Sequence, residues 1–114
     1  MKVTVNNESA DINRYYVQTL CMIFFPGEKF SDSDDQSIYS ICVDCEEREN
    51  AFYAKALLRA GEKEYEKEST VEYTPDKTRK RTKKIAVGNA VLAVCNEHCG
   101  YRSSWGFTQT RVIP

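Results

Sequence analysis

From Thr74 to Gly100 the chain reads TPDKTRKRTKKIAVGNAVLAVCNEHCG, the one long stretch whose start, stop and buried side can all be read. Thr74 offers a hydroxyl to the first free amides of a helix, and Pro75 suits the first helical position, where its missing N–H costs nothing. Asp76 adds a negative charge at the positive end. Ile85, Gly88, Leu92, Cys95 and Cys99 recur at three- and four-residue steps, with Val91 beside them, so one stripe is apolar and needs a core. Gly100 then ends the helix as a left-handed cap. A glycine inside a helix costs about 1 kcal/mol relative to alanine, so Gly88 is expected where a neighbouring backbone comes close.

The first two turns differ from the rest. Lys77, Arg79, Lys80, Arg81, Lys83 and Lys84 point all round the axis, which excludes burial of this half and makes them candidate contacts for an anion or a partner. They also sit at the end of the helix dipole that disfavours cations, so something nearby should offset them. Glu62, Glu64, Glu66, Glu68 and Glu72 come just before, and the simplest expectation is that the two segments lie side by side and neutralise each other. An RNA- or polyanion-binding module is a second reading of the same run, with Tyr65, Tyr73 and Tyr101 as stacking faces. The net charge of −1 works against it, because no global field draws in nucleic acid.

At 114 residues the chain has room for one domain with a real core. It contains no run long and apolar enough for a membrane helix, and MKVTVNNESAD lacks the apolar centre of a signal peptide. A cytoplasmic location follows as the expectation, with the five cysteines kept as thiols.

Alternation places a short strand at Met1–Val5, and a helix follows, capped by Ser9 or Asp11 and running through Phe25. Its inward stripe reads Ile12, Tyr16, Thr19, Leu20 and Ile23, and Pro26-Gly27 ends it. Residues 31–36 have nothing to bury and form a loop. Tyr39, Ile41, Val43 and Cys45 then share one face, as do Phe52, Ala54, Ala56 and Leu58. A fourth strand near Lys63–Tyr73 points its glutamates to water and Tyr65, Val71 and Tyr73 inward, a pattern that suits an edge. The predicted architecture is α+β, in the order β-α-β-β-β-α: an antiparallel meander with two helices on one face. Residues 1–100 make the domain and 101–114 a tail or linker. The tail has apolar residues without periodicity, so it either folds back over the sheet or stays poorly ordered.

Two cysteine pairs, Cys42-Val-Asp-Cys45 and Cys95-Asn-Glu-His98-Cys99, have the look of a zinc site. Residues three apart on a strand point to opposite faces, however, and Cys95 and Cys99 already belong to the apolar stripe. No metal ligand or catalytic residue is assigned. His98, the single histidine, sits near the helix C-terminus, where a partly exposed imidazole is favoured by the dipole.

Phe24-Phe25-Pro26-Gly27-Glu28, the meander, the Arg/Lys-rich helix, and Ser103-Ser104-Trp105-Gly106 leading to Pro114 together resemble the N-terminal region of HemZ-type proteins. These are radical S-adenosylmethionine enzymes of the oxygen-independent coproporphyrinogen III oxidase or dehydrogenase kind, in haem biosynthesis. Ser103-Ser104 takes the place of Leu-Pro in the family's pattern. The resemblance implies a non-catalytic accessory domain that packs on, positions or regulates a catalytic barrel following in the same chain. The iron–sulfur cluster and S-adenosylmethionine belong to that barrel, and no cofactor is implied for the residues here. Trp105 and Phe107 become candidate inter-domain contacts, and the basic helix could steer an acidic porphyrinogen. A stand-alone oligomerising domain is a third reading.

Overall fold

The computed structural model describes residues 1–31 and 37–100, together with the backbone of Val112–Ile113. The elements are β1 (Lys2–Asn6), α1 (Arg14–Cys21), β2 (Tyr39–Arg48), β3 (Ala51–Ala60), β4 (Lys63–Glu72), α2 (Arg79–Cys99) and β5 (Val112–Ile113). The fold is α+β with the order β-α-β-β-β-α over its first six elements. Strands β1 to β4 lie in chain order, and β5 pairs with Glu68 and Ser69 at the outer edge of β4.

Strands β2, β3 and β4 form the antiparallel meander, joined by two-residue turns. Gly61 opens the second turn at φ 65°, a conformation that a hairpin of this length favours and that costs glycine little. The sheet is nevertheless mixed, because β1 pairs with β2 in parallel, Val3 opposite Ile41 and Val5 opposite Val43. The expected meander is antiparallel throughout, and β1 adds one parallel pair at its edge. A crossover containing α1 separates the two strands, and such a connection returns the chain in the same direction.

Strand alternation divides the sheet cleanly. Val3, Ile41, Val43, Cys45, Phe52, Ala54, Ala56, Leu58 and Val71 are buried on one face, beneath α2, which lies over β3 and β4 and against α1. The opposite face carries the hydroxyls and charges.

Both helices begin later than the sequence suggests. Asn13 caps α1, its side chain accepting from the Tyr16 amide at 3.1 Å. Helix α1 stops at Cys21, so the chain turns through 22–25 and sends Ile23 to solvent while Phe24 and Phe25 are buried. Its inward stripe centres on Val17 and Cys21. Ile23 and Thr19 are exposed, and the Thr19 hydroxyl donates to the Tyr15 carbonyl at 2.9 Å. Helix α2 is capped by Thr78, whose hydroxyl accepts from the Arg81 amide at 3.1 Å. The Thr74 hydroxyl is engaged by Asp76, and 74–77 forms a turn closed by Lys77 N–H on the Thr74 carbonyl at 3.3 Å. Gly100 ends α2 at φ 73° as expected.

Ala86 through Val91 are all buried, so the middle of α2 is enclosed rather than striped. Ile85, Leu92 and Cys99 are only partly buried. The reason is that α2 has two neighbours. Gly88 lies where an added Cβ would sit 3.4 Å from the Tyr16 hydroxyl of α1, so the close approach is to a tyrosine side chain and not to a backbone. That hydroxyl donates to the Lys84 carbonyl at 2.9 Å.

Candidate functional site

The basic turns of α2 are the first candidate. Arg79 donates to Glu47 at 2.6 Å and lies 3.8 Å over the Tyr73 ring, while the Tyr73 hydroxyl donates to the same carboxylate at 2.6 Å. These contacts hold the Glu47 carboxyl below its ordinary range, the Tyr73 hydrogen bond first and Arg79 next among the lowering causes. Burial, then Glu47, pushes the Tyr73 phenol up to about 12. A carboxylate therefore sits at the positive end of the helix, offsetting the misplaced cations. Lys80 reaches to 3.8 Å from Asp11. Lys77 and Arg81 flank Asp76, whose carboxyl is held low by the Thr74 hydroxyl first and by these cations to a smaller extent. Lys83 and Lys84 lie over the rings of Phe52 and Tyr16, at 5.7 and 5.2 Å.

The six cations are thus spread over different neighbours instead of forming one open track. The glutamates of β4 are not what neutralises them. Glu64, Glu66, Glu68 and Glu72 occupy alternate positions on the face turned away from α2, where Glu64 bridges Arg59 at 2.9 Å and Glu68 accepts from the Tyr53 hydroxyl. Beside the basic turns Lys83, Asn7, Ser9, Cys45, Glu47 and Phe52 line a cleft of about 430 Å³. Asn7 has φ 64° and donates from its side chain to the Cys45 carbonyl at 2.8 Å.

The cysteines separate as strand geometry requires. Cys45 is buried among the core residues, and burial followed by Asp44 pushes its thiol up to about 11. Cys42 lies on the other face, where its sulfur is 3.5 Å from the Asn6 amide, and its thiol is raised by burial and then by Asp44. Cys95 is hydrogen-bonded with Cys21 between the two helices. That bond and burial raise its thiol strongly, and burial raises Cys99. Raised thiols stay protonated at neutral pH and are poor nucleophiles. Among the described residues no group of three or more His, Cys, Asp or Glu side chains is placed to hold a metal ion.

At the far end of α2, His98 is half-buried in a ring cluster that sequence reading did not find. Its Nδ1 lies 3.3 Å from the Tyr65 hydroxyl. Tyr65 and Tyr39 meet the imidazole edge-on at 5.3 and 5.6 Å, and Phe25 stacks at 6.1 Å. The available signal was register: Tyr39 and Tyr65 both fall on inward positions at the same end of the sheet. Phe25 packs on Tyr39 at 4.7 Å between centroids, so the Phe24–Glu28 segment and the start of β2 meet here. Outside this cluster three aliphatic side chains stay in solvent: Met22 at 55 %, Ile23 at 49 % and Ile38 at 64 % exposure. Trp105 and Phe107, the expected inter-domain contacts, lie outside the described residues. No helix among those described is long and apolar enough to cross a membrane. No protein-family model matches the chain, and no curated protein does.

Proposed function

We propose that this chain is a non-catalytic accessory domain that docks on a larger catalytic unit, as the N-terminal region of HemZ-type radical S-adenosylmethionine enzymes is placed ahead of its barrel. The observation that carries the reading is the exposed trio Met22, Ile23 and Ile38. Met22 and Ile23 directly precede Phe24-Phe25-Pro26-Gly27-Glu28, one of the motifs that carry the resemblance, and Ile38 precedes Tyr39, whose ring packs on Phe25 at the His98 end of α2. Large apolar side chains held in water favour contact with a partner surface. The partner is the catalytic barrel in the same polypeptide, which would bring the iron–sulfur cluster and S-adenosylmethionine. The RNA-binding reading has less support, because Arg79, Lys80, Lys83 and Lys84 are each engaged within the fold.

Reading the coding sequence downstream of Pro114 is the test. A Cys-x3-Cys-x2-Cys motif in frame is the expected result, and an open frame that ends without one removes the HemZ-type reading. In the longer protein, Ile23→Ser with Ile38→Ser should loosen the domain, seen as faster proteolysis near residue 101 without loss of the domain's own thermal transition. Unchanged proteolysis would separate the apolar end from docking.

A further inference from the structure

Strand β2 runs further than the strand beside it. The parallel pairing ends at Asn6 opposite Asp44, while β2 continues through Cys45, Glu46 and Glu47 to Arg48. The two-residue turn after Arg48 makes Arg48 and Ala51 a hydrogen-bonded pair, so the even-numbered residues of β2 bond to β3 and the odd-numbered ones turn their N–H and C=O toward β1. The Cys45 carbonyl obeys this alternation. It accepts from the Asn7 side chain at 2.8 Å, at the point where the backbone takes φ 64° and leaves the sheet. Glu47 is the next odd residue, and among the described residues no strand pairs with it on that side. Its N–H and C=O form an open piece of sheet edge.

This edge borders the cleft of about 430 Å³ lined by Asn7, Ser9, Cys45, Phe52 and Lys83. Cys45, Glu47 and Phe52 lie on the helix side of the sheet, and Lys83 reaches down from α2 with its ammonium 5.7 Å from the Phe52 ring centre. A cation over a ring face keeps its N–H donors for a further partner. Lys83 stands outside the ion pairs of the basic turns, which join Arg79 to Glu47 and Lys80 to Asp11. The cleft does contain carboxylates, but each is already met. Glu47 accepts from Arg79 on one oxygen and from the Tyr73 hydroxyl on the other. Glu46 turns by strand parity to the far face, where Arg48 meets it at 3.1 Å. Setting Arg48, Arg79 and Lys83 against Glu46 and Glu47 leaves the positive charge of Lys83 over. The Ser9 hydroxyl accepts from the Ile12 amide at 3.2 Å and keeps its own proton to donate.

A backbone donor beside a backbone acceptor is what a second extended chain recognises, and a cation next to them is what a carboxylate recognises. We infer that this notch takes the free C-terminus of an extended peptide from a partner protein. The N–H of the last residue donates to the Glu47 carbonyl, and the terminal carboxylate accepts from the Glu47 N–H and from Lys83. The last side chain then lies on the helix side, against Cys45 and Phe52, which suits a small apolar residue. The volume falls at the small end of ligand pockets, so the site holds the tip of a chain and excludes a folded element. It lies at the start of α2, at the opposite end of that helix from His98, and does not depend on the docking reading.

The test is a two-dimensional amide NMR titration of the intact chain at constant ionic strength set with chloride. The probes are N-acetyl-alanyl-valine, its C-terminal amide, the same acid N-methylated at the valine nitrogen, and acetate. Saturable shifts at Asn7, Glu47 and Lys83 are expected with the free acid. The amide should bind about five-fold more weakly, the loss of one charge-assisted contact, and the N-methylated acid about five-fold more weakly, the loss of one hydrogen bond. Lys83→Gln should bring the acid down to the level of the amide, and Arg81→Gln, in the same basic run, should leave it unchanged. A dispersed spectrum verifies that each variant is folded, and the two modified peptides probe the same contacts without altering the protein. Shifts that fail to saturate with the free acid, an amide that binds as tightly, or binding undiminished by Lys83→Gln would overturn the assignment. Acetate or the N-methylated acid binding as tightly as the parent peptide would remove the edge pairing, and the peptide reading with it.

Discussion

Leu57 and Leu58 are neighbours of the same type on the same central strand, yet they live in different solvents. Leu58 is fully buried beneath α2, opposite Ile41 in the core, while Leu57 stands half-exposed among serine, threonine and charged groups. The pair shows that strand parity, more than residue type, decides what a side chain contributes here. One face of the sheet holds the fold together, and the other is free to carry charge.

The strongest way to break this comparison is to truncate both leucines. Leu58→Ala should cost about 2–5 kcal/mol, the usual range for a fully enclosed leucine, whereas Leu57→Ala should cost under about 1 kcal/mol because little cavity is left. Urea denaturation of the two variants checks this, and similar losses would mean that the open face is covered.

The two cysteines of β2 repeat the experiment with a smaller probe. Cys45→Ser places a hydroxyl in the core and should cost about 1–3 kcal/mol, while Cys42→Ser should stay within about 0.5 kcal/mol. Metal analysis of protein purified without added metal should find no stoichiometric zinc. An ion that one cysteine variant removed would instead mean that both faces contribute to one centre.

Much of this division was legible before any coordinates. Alternation over 39–45 and 52–58 identified the inward residues, and the glutamates of β4 marked the outward ones. What could not be read was the relation between segments. A strand that joins in parallel alternates just as an antiparallel one does, so β1 offered no sign of its direction. Thr74 and Thr78 are both competent caps four residues apart, and the choice turned on Asp76 taking the Thr74 hydroxyl. Ile23 continued a plausible stripe, but α1 had already ended at Cys21. The six cations were recognised as a group, whereas Glu47 and Asp11, which hold two of them, are distant in sequence. The His98 cluster required the register of three strands.

Subtler tests address the seams between faces and helices. Tyr16→Phe removes the hydroxyl bonded to the Lys84 carbonyl and should cost about 1 kcal/mol, read as a lower midpoint in thermal unfolding. Gly88→Ala should recover part of that loss, since the helix prefers alanine and the opposing oxygen is gone.

The smallest effect is expected at the surface triad of Glu47, Tyr73 and Arg79. Because the folded Glu47 carboxyl titrates below its unfolded value, its contribution is full above the unfolded pKa and disappears as pH falls through the depressed folded one. The Tyr73 phenol works in the opposite sense: its contribution is complete below about 10, the ordinary phenol pKa, and fades as pH rises towards about 12. Glu47 is exposed and Tyr73 only partly buried, so Glu47→Gln should cost under about 1 kcal/mol at neutral pH. The variant should also flatten the acid side of the stability profile, and a profile unchanged in slope would discount the triad.

The parallel seam between β1 and β2 also bears on how the chain assembles. Pairing Lys2 with Ser40 closes a loop across the whole of α1, while the meander zips through two-residue turns. Loop closure is dearer and slower over such a span. The three-stranded hairpin array is therefore expected to nucleate first, with the amides of β1 the last to gain protection against deuterium exchange during refolding.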